Sequence, residues 1–216
     1  MRSNLGGTLL RMKRLSMIET VRPILDLPWV YQLWGSIIGA HESRKTLVEE
    51  HIRPRQSDRI LDIGCGPGSM VPYLPQSGYV GFDANADYIQ RAQRRFPKAR
   101  FVCNRVNEHS LPQSESFDIV VALGIVHHLD DPEAVQLFRL AHHALKSEGR
   151  LITVDGVWVP DQSRFAKFLL GRDRGRFVRH EGEYVGLAST SFSIVKAVIR
   201  CDLLRIPYSH LILECS

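Results

Sequence analysis

The sequence lacks the features that mark secreted, membrane-spanning and metal-dependent proteins. Its four cysteines, Cys65, Cys103, Cys201 and Cys215, are scattered without a Cys-x-x-Cys pair, which favours a reduced, cytosolic protein. No stretch approaches the roughly 20 apolar residues that span a bilayer, and the first residues lack the apolar core of a signal peptide. The metal-binding spacing H-E-x-x-H is also missing, so we expect no metal site.

Positive charge is in excess only locally. The 216 residues include 28 Lys and Arg against 23 Asp and Glu, which gives a formal charge of +5. The excess lies between Arg2 and Arg22 and again between Arg164 and Arg179. A protein that binds nucleic acid along its whole surface would carry a more general excess. The length predicts one main domain with a sizeable core.

Glycine is concentrated in one informative stretch, Arg59 to Gly68. The apolar run Ile60, Leu61 and Ile63 is typical of a buried parallel strand, and glycines follow it at positions 64, 66 and 68. A strand that runs straight into glycines turns with its backbone bare, so a ligand can lie against the amides and the start of the next helix. The pattern predicts a cofactor loop.

Two acids indicate the kind of cofactor. Ser69 stands where the third glycine of a dinucleotide loop would be, which argues against a pyrophosphate ligand. Asp62, just ahead of the loop, repels phosphate and attracts an ammonium group. Asp83 closes the next apolar run at about the 20-residue distance of an acid that accepts ribose hydroxyls. The loop therefore fits a nucleoside that carries an amino acid.

These residues resemble the class I S-adenosylmethionine-dependent methyltransferases. The resemblance rests on Asp62-x-Gly64-x-Gly66-x-Gly68, on Asp83, and on a fourth motif from Phe117 through His127-His128-Leu129. It covers roughly residues 42 to 155. It implies S-adenosylmethionine as the cofactor, which makes an NAD-dependent enzyme the remaining rival for the loop.

The alternation of strands and helices predicts an α/β fold with a parallel sheet and right-handed crossovers. The family resemblance implies a Rossmann-like, doubly wound sheet of seven strands in the order 3-2-1-4-5-7-6, with the last strand antiparallel and helices on both faces. We expect an N-terminal arm and cap helix over 1–41, a methyltransferase domain over 42–216, and a substrate-side insertion at about 156–191. One helix is predicted to begin with Asp131 as its N-cap and to end at Gly149.

The resemblance also implies further cofactor contacts. Arg44 stands where small bacterial relatives carry an arginine for the methionine carboxylate, although a solvent-facing arginine fits equally well. Ala84 takes the place of the apolar residue against the adenine, and Leu123 precedes the glycine past which the sulfonium lies. Asn107 replaces the usual adenine-binding acid, and its amide oxygen can still accept that hydrogen bond. Cys65 belongs to the glycine loop itself.

Two adjacent histidines are the candidates for catalysis. Methyl transfer requires a nucleophile held in line with the sulfonium, and a base that removes its proton adds to that positioning. His127 and His128 follow the fourth strand, and we favour His127 because adjacent residues point in different directions. The alternative is that the pair only packs and shapes the loop. A metal site formed with Asp130, Asp131 and Asp155 is less favoured.

The insertion is expected to set substrate specificity, because it lies above the carboxyl ends of the strands. Its arginine run is typical of a solvated loop, or else Arg174 and Arg179 clamp a carboxylate or phosphate, with Tyr184 beside them. Trp34, in an aromatic N-terminal segment, is a further substrate candidate, although packing over the core fits that segment better.

The leading functional hypothesis is a methyltransferase that acts on an oxygen or nitrogen of a small, acidic or sugar-like metabolite. An RNA methyltransferase is the second, supported by the basic segments. Against it, Ala122-Leu123-Gly124-Ile125 differs from the Asn/Asp-Pro-Pro-aromatic motif of amino-group nucleic-acid methylases. The third is a non-catalytic partner that binds S-adenosylmethionine. The acceptor and the oligomeric state are left open.

Overall fold

Short apolar strands form the central sheet of the computed structural model, which describes residues 39–105, 117–171 and 175–216. The strands are β1 (Ile60–Ile63), β2 (Tyr79–Asp83), β3 (Arg100–Cys103), β4 (Phe117–Leu123), β5 (Leu145–Trp158), β6 (Arg179–His180), β7 (Val195–Arg200) and β8 (His210–Cys215). They lie in the order β3-β2-β1-β4-β5-β8-β7, and β6 pairs with the end of β5.

The last strand runs against its neighbours, as predicted. Strands β1 to β5 pair in parallel, whereas β8 pairs antiparallel with both β5 and β7. Leaving out the two-residue β6, this is the predicted order 3-2-1-4-5-7-6, so the fold class is confirmed. Strand β6 itself was not predicted, because two residues carry no periodicity.

Helices cover both faces of the sheet. They are α1 (Ala40–Leu47), which continues as a wider π-helical turn (Val48–Ile52), α2 (Ala86–Arg95), α3 (Asp131–Ala144), α4 (Arg164–Leu170) and α5 (Glu181–Ala188). No helix within the described ranges is long and apolar enough to cross a membrane.

Successive residues of each central strand face two separate cores, which is why these strands are apolar without alternation. Leu61 of β1 packs in one cluster with side chains of α3 and α5. Ile60 packs in the other with Leu47 of α1 and Ile89 of α2. The turn after β1 therefore lies at the carboxyl edge of a sheet that is buried on both sides.

The helix α3 differs from its prediction at both ends. Its N-cap is Asp130, whose side chain accepts from the Glu133 backbone N–H at 2.9 Å in a capping box. The prediction that Asp131 is the cap was wrong. The helix also ends at Ala144 and not at Gly149, because Leu145 already pairs with Phe117 in the sheet. Gly149 lies within β5, where the pairing with β4 shifts register between Phe117 and Ile119, and a side chain there would lie 3.0 Å from the Phe117 carbonyl oxygen.

The Asp130 cap can be tested by stability measurements. Asp130→Ala removes the acceptor for a helical N–H and is expected to lower the free energy of unfolding by about 1 kcal/mol. Asp130→Asn keeps an acceptor oxygen and should stay close to the wild type. Urea unfolding of the three proteins decides the question, and equal stability of the alanine and wild-type proteins would contradict the assignment.

Candidate active site

The turn after β1 is held by three glycines in the left-handed region. The φ angles of Gly64, Gly66 and Gly68 are 77°, 54° and 76°, which side chains other than glycine adopt at a cost. The backbone N–H groups of Gly64 and Cys65 both donate to the Phe82 carbonyl, at 2.8 and 3.0 Å. The turn is therefore fixed to the end of the neighbouring strand β2.

Of the three glycines, Gly66 alone has no neighbour among the described residues at the place of a side chain. A side chain on Gly64 would meet Ile125 at 3.1 Å, and one on Gly68 would meet the Phe96 ring at 3.1 Å. A Cβ on Gly66 would meet no atom of residues 39–105, 117–171 or 175–216 within 4 Å. The turn therefore packs on the protein at its two ends and leaves bare backbone in its centre, as a loop that receives a ligand must.

Asp83 faces this turn from the end of β2. Its Oδ2 accepts from the Gly66 N–H at 2.9 Å, and its Oδ1 accepts from the Asn85 N–H at 2.8 Å. The carboxylate is partly exposed and lies beside the open middle glycine. This position suits an acid that accepts hydroxyl hydrogen bonds from a ribose laid over the loop.

Asp62 is almost completely buried. It is 2% exposed, and its Oδ2 accepts from the Tyr79 hydroxyl at 2.6 Å. Burial raises the pKa of Asp62 to about 7; the Tyr79 hydrogen bond opposes this shift, and the charge of Asp83 adds to it. A contact of Asp62 with an ammonium group stays a prediction, but a nearby cation would favour its ionised form.

The other predicted cofactor residues surround the same turn. Cys65 is buried, with its Sγ packed against Gly81 of β2. Ala84 is exposed directly after Asp83, and Leu123 is partly buried at the end of β4. Arg44 is partly exposed on α1, where Leu47 packs in the same cluster as Cys65. Their contacts with a cofactor stay predictions.

His127 forms a hydrogen-bonded pair with Asp155 beyond the end of β4. Its Nδ1 lies 2.7 Å from Asp155 Oδ1, and its backbone N–H donates to the same oxygen at 3.1 Å. Both residues are buried, at 5% and 2% exposure. The pairing holds Nδ1 against the carboxylate and thereby fixes the orientation of the ring.

Sequence reasoning chose His127 but did not see its partner. Asp155 is 28 residues away, and it was considered only as part of a disfavoured metal set. The available signal was its position at the carboxyl end of the fifth strand, adjacent to the fourth. Its second oxygen, Oδ2, is buried and has no hydrogen-bond partner among the described residues.

The structure also describes three other predicted residues, His128, Tyr184 and Arg179. His128 is exposed, with its ring 4.2 Å from that of His127 between centroids. Tyr184 is 1% exposed and donates to the Gly156 carbonyl at 2.9 Å, so it belongs to the core and not to a substrate surface. Arg179 is 7% exposed, and all of its N–H groups donate within the protein. The geometry leaves no donor of Arg179 for a substrate.

Trp34, Asn107 and Arg174 lie outside the described residues, as does the N-terminal arm up to residue 38. Among residues 39–105, 117–171 and 175–216, no group of three or more His, Cys, Asp and Glu side chains is arranged to hold a metal ion.

The open Gly66 backbone, with Asp83 beside it and the buried Asp62 behind it, fits S-adenosylmethionine better than a pyrophosphate. Residues 60–149 match the family model described as a methyltransferase domain. Over these residues the chain is similar to S-adenosylmethionine-dependent methyltransferases.

Two curated relatives illustrate the similarity. An uncharacterized methyltransferase of Synechocystis is 29% identical over 134 residues, which are 59% of this chain and 63% of the relative. The 27-O-demethylrifamycin SV methyltransferase of Amycolatopsis mediterranei is 34% identical over 150 residues, 60% of this chain and 54% of the relative. The chain thus spans little more than half the length of these relatives.

Solved structures agree on the fold. A geranyl diphosphate methyltransferase in complex with S-adenosylmethionine superposes with a TM-score of 0.62 at 14% identity, over 81% of this chain and 84% of the other. The YcgJ protein from Bacillus subtilis superposes with a TM-score of 0.60 at 18% identity, over 82% and 98% of the two chains.

The raised pKa of Asp62 predicts a pH dependence of cofactor affinity. Between about pH 4 and 7 the folded protein binds a proton that the unfolded chain releases, so the stability that this proton contributes is lost as the pH rises through 7. A bound cation favours the ionised form, so S-adenosylmethionine affinity should rise up to about 10-fold from pH 6 to pH 8. Calorimetric titrations at several pH values measure this change.

Asp62→Asn is the matched control, because it keeps the size of the side chain and removes its titration. The variant reports the pH dependence that the cofactor's own amino group contributes. Identical pH profiles for the two proteins would show that Asp62 does not sense the ligand.

Proposed function

We propose that this protein is an S-adenosylmethionine-dependent methyltransferase that methylates an oxygen or nitrogen of a small molecule, with His127 as the general base. The observation that carries the proposal is the buried His127–Asp155 pair, with 2.7 Å between Nδ1 and Oδ1, beside the end of β4. The pair lies at the same carboxyl edge as the glycine turn, since Gly64 and Gly124 end adjacent parallel strands.

The cofactor would be held by the turn from Gly64 to Gly68 and by Asp83, with Arg44 as a further candidate on α1. When bound, S-adenosylmethionine supplies a methyl group on a positively charged sulfur. Since that group is already electrophilic, the protein's tasks are to hold the acceptor in line and to take up its proton. No acid is needed for the leaving group.

His127 is suited to take up the proton. An imidazole whose Nδ1 donates to a carboxylate presents Nε2 as an acceptor, and the carboxylate stabilises the imidazolium that forms. Asp155 thereby fixes both the tautomer and the orientation of the ring. Its buried Oδ2, which has no partner among the described residues, adds negative charge next to that imidazolium. A hydroxyl or amine acceptor fits this base.

The names of the relatives support a small-molecule acceptor. Besides the rifamycin enzyme, a trans-aconitate 2-methyltransferase of Afipia carboxidovorans is 36% identical over 90 residues, 40% of this chain and 34% of the relative. An acidic acceptor remains part of the proposal, but Arg179 is not its clamp, because the guanidinium is already bonded within the protein.

The experiment is a methyl-transfer screen over an extract of small metabolites, with products identified by mass and RNA as a parallel substrate. With the acceptor that the screen identifies, His127→Asn should lower kcat by about 100- to 10,000-fold, because asparagine can keep the bond to Asp155 but is no base. The affinity for S-adenosylmethionine should change less than about 2-fold, since the glycine turn is untouched.

His128→Asn is the control, because His128 is exposed and should tolerate the same change with little effect. An undiminished kcat for His127→Asn would show that positioning alone accounts for the rate. Transfer to RNA and to no small molecule would contradict the acceptor class.

A further inference from the structure

A short segment of the insertion packs over the turn that carries His127. We call residues 175–180 the strap. The backbone N–H of Phe177 donates to the His127 carbonyl at 3.0 Å, and the Trp158 indole N–H donates to the Val178 carbonyl at 3.1 Å. The strap ends in β6, which pairs with Val157 and Trp158 of β5. The strap is therefore hydrogen-bonded both to the turn after β4, which carries His127, and to β5, which carries Asp155.

The side chain of Arg179 fastens the strap to this turn. Its Nε and Nη2 donate to Asp131 Oδ1 at 3.0 and 2.7 Å. Its remaining N–H groups donate to the carbonyls of Val126 at 3.3 Å, Leu129 at 2.8 Å and Phe177 at 3.0 Å. The carbonyls of Val126 and Leu129 flank the two histidines. A buried guanidinium with all five donors used fixes the backbone on both sides of His127.

The strap touches the ring of His127 through a glycine. A Cβ on Gly175 would overlap His127 Cδ2 and would lie 3.0 Å from both Cγ and the His127 carbonyl oxygen. Gly175 is outside the left-handed region, so the contact with the ring, and not the backbone angle, is what excludes a side chain here. The bare backbone of the strap is therefore packed directly on the imidazole.

A second glycine lies on the other side of the reactive nitrogen. A Cβ on Gly124 would approach His127 Cε1 at 3.8 Å. In an imidazole Nε2 is bonded to both Cε1 and Cδ2, so it lies between the atoms that face Gly124 and Gly175. One glycine belongs to the end of β4, at the cofactor edge, and the other belongs to the insertion.

We propose that Gly175 is a positioning residue, and that the strap, fastened by Arg179, holds His127 Nε2 at the junction between the cofactor edge and the acceptor side. The proposal rests on the proposed function and deepens it, because it identifies the part of the insertion that acts on the base. The strap backbone forms the wall beside Nε2 on the acceptor side. An added methyl group at position 175 must move either the ring or the strap.

The test compares Gly175→Ala with Gly182→Ala in the full chain. A Cβ on Gly182 would meet nothing within 4 Å in the part of the chain that the structure describes, so this control makes the same substitution without a contact there. The readout independent of catalysis is the long-range proton–nitrogen NMR spectrum of His127, assigned with His127→Asn. Gly175→Ala should shift both ring nitrogens and change the pH at which they titrate, whereas Gly182→Ala should reproduce the wild-type signals.

On the acceptor found in the screen, Gly175→Ala should lower kcat at least about 10-fold, because a misplaced base loses proton-transfer geometry. The Kd for S-adenosylmethionine should stay within about 2-fold, because the glycine turn is not touched. Unchanged His127 signals together with an unchanged kcat would overturn the proposal. If Gly175→Ala shifts the His127 signals but the His127→Asn protein is fully active, His127 is not the general base. The placement of the ring by the strap would then still hold.

If Gly175→Ala does not fold, Asp131→Asn takes its place. The Asp131 side chain is 72% exposed, so the substitution removes the charge that holds Arg179 without opening the core. It should shift the His127 signals in the folded protein. Wild-type signals in that variant would show that the strap does not place the ring.

Discussion

The structure depends on the glycine turn at the carboxyl edge of the sheet, where no described side chain covers the backbone of Gly66. Gly64, Gly66 and Gly68 hold positive φ angles, and the N–H of Gly66 is bound by the Asp83 carboxylate at 2.9 Å. Because β1 is buried on both faces, its carboxyl end is fixed by the two cores on either side. The bare backbone between β1 and the Val71–Tyr73 turn is then available to a ligand, and the acids of β1 and β2 give it a negative character.

The two halves of the site follow from the order of the strands. β1 has β2 on one side and β4 on the other, so Asp83 and Gly124 lie on opposite sides of the glycine turn. β5 lies beside β4, and this brings Asp155 to His127 although 28 residues separate them. The proposed cofactor side therefore uses the first two strands, and the proposed acceptor side uses β4 and β5. The strap over residues 175–180 lies on the second of these halves, bonded to the turn that carries His127 and to the end of β5.

Sequence patterns predicted the structure correctly where burial or the backbone angle of the residues themselves decides it. The apolar runs predicted the central strands, and the glycine spacing predicted the turn, because burial and positive φ angles limit the residue types directly. They failed where a distant partner decides the outcome. Gly149 looked like a helix end, but Leu145 pairs with Phe117 first. Arg179 and Tyr184 looked like substrate groups, but their partners at Asp131 and Gly156 are remote in sequence. For the same reason, the sequence did not predict that Asp155 pairs with His127.

The central claim is that the glycine turn binds S-adenosylmethionine. The most direct measurement is calorimetry of the wild type and of Gly66→Val, with S-adenosylmethionine and with NADH. The account predicts that one S-adenosylmethionine binds per wild-type chain, that NADH does not compete, and that the valine, placed in the open space above the turn, abolishes binding in a folded protein. Tight NADH binding, or S-adenosylmethionine affinity that Gly66→Val leaves unchanged, would contradict it.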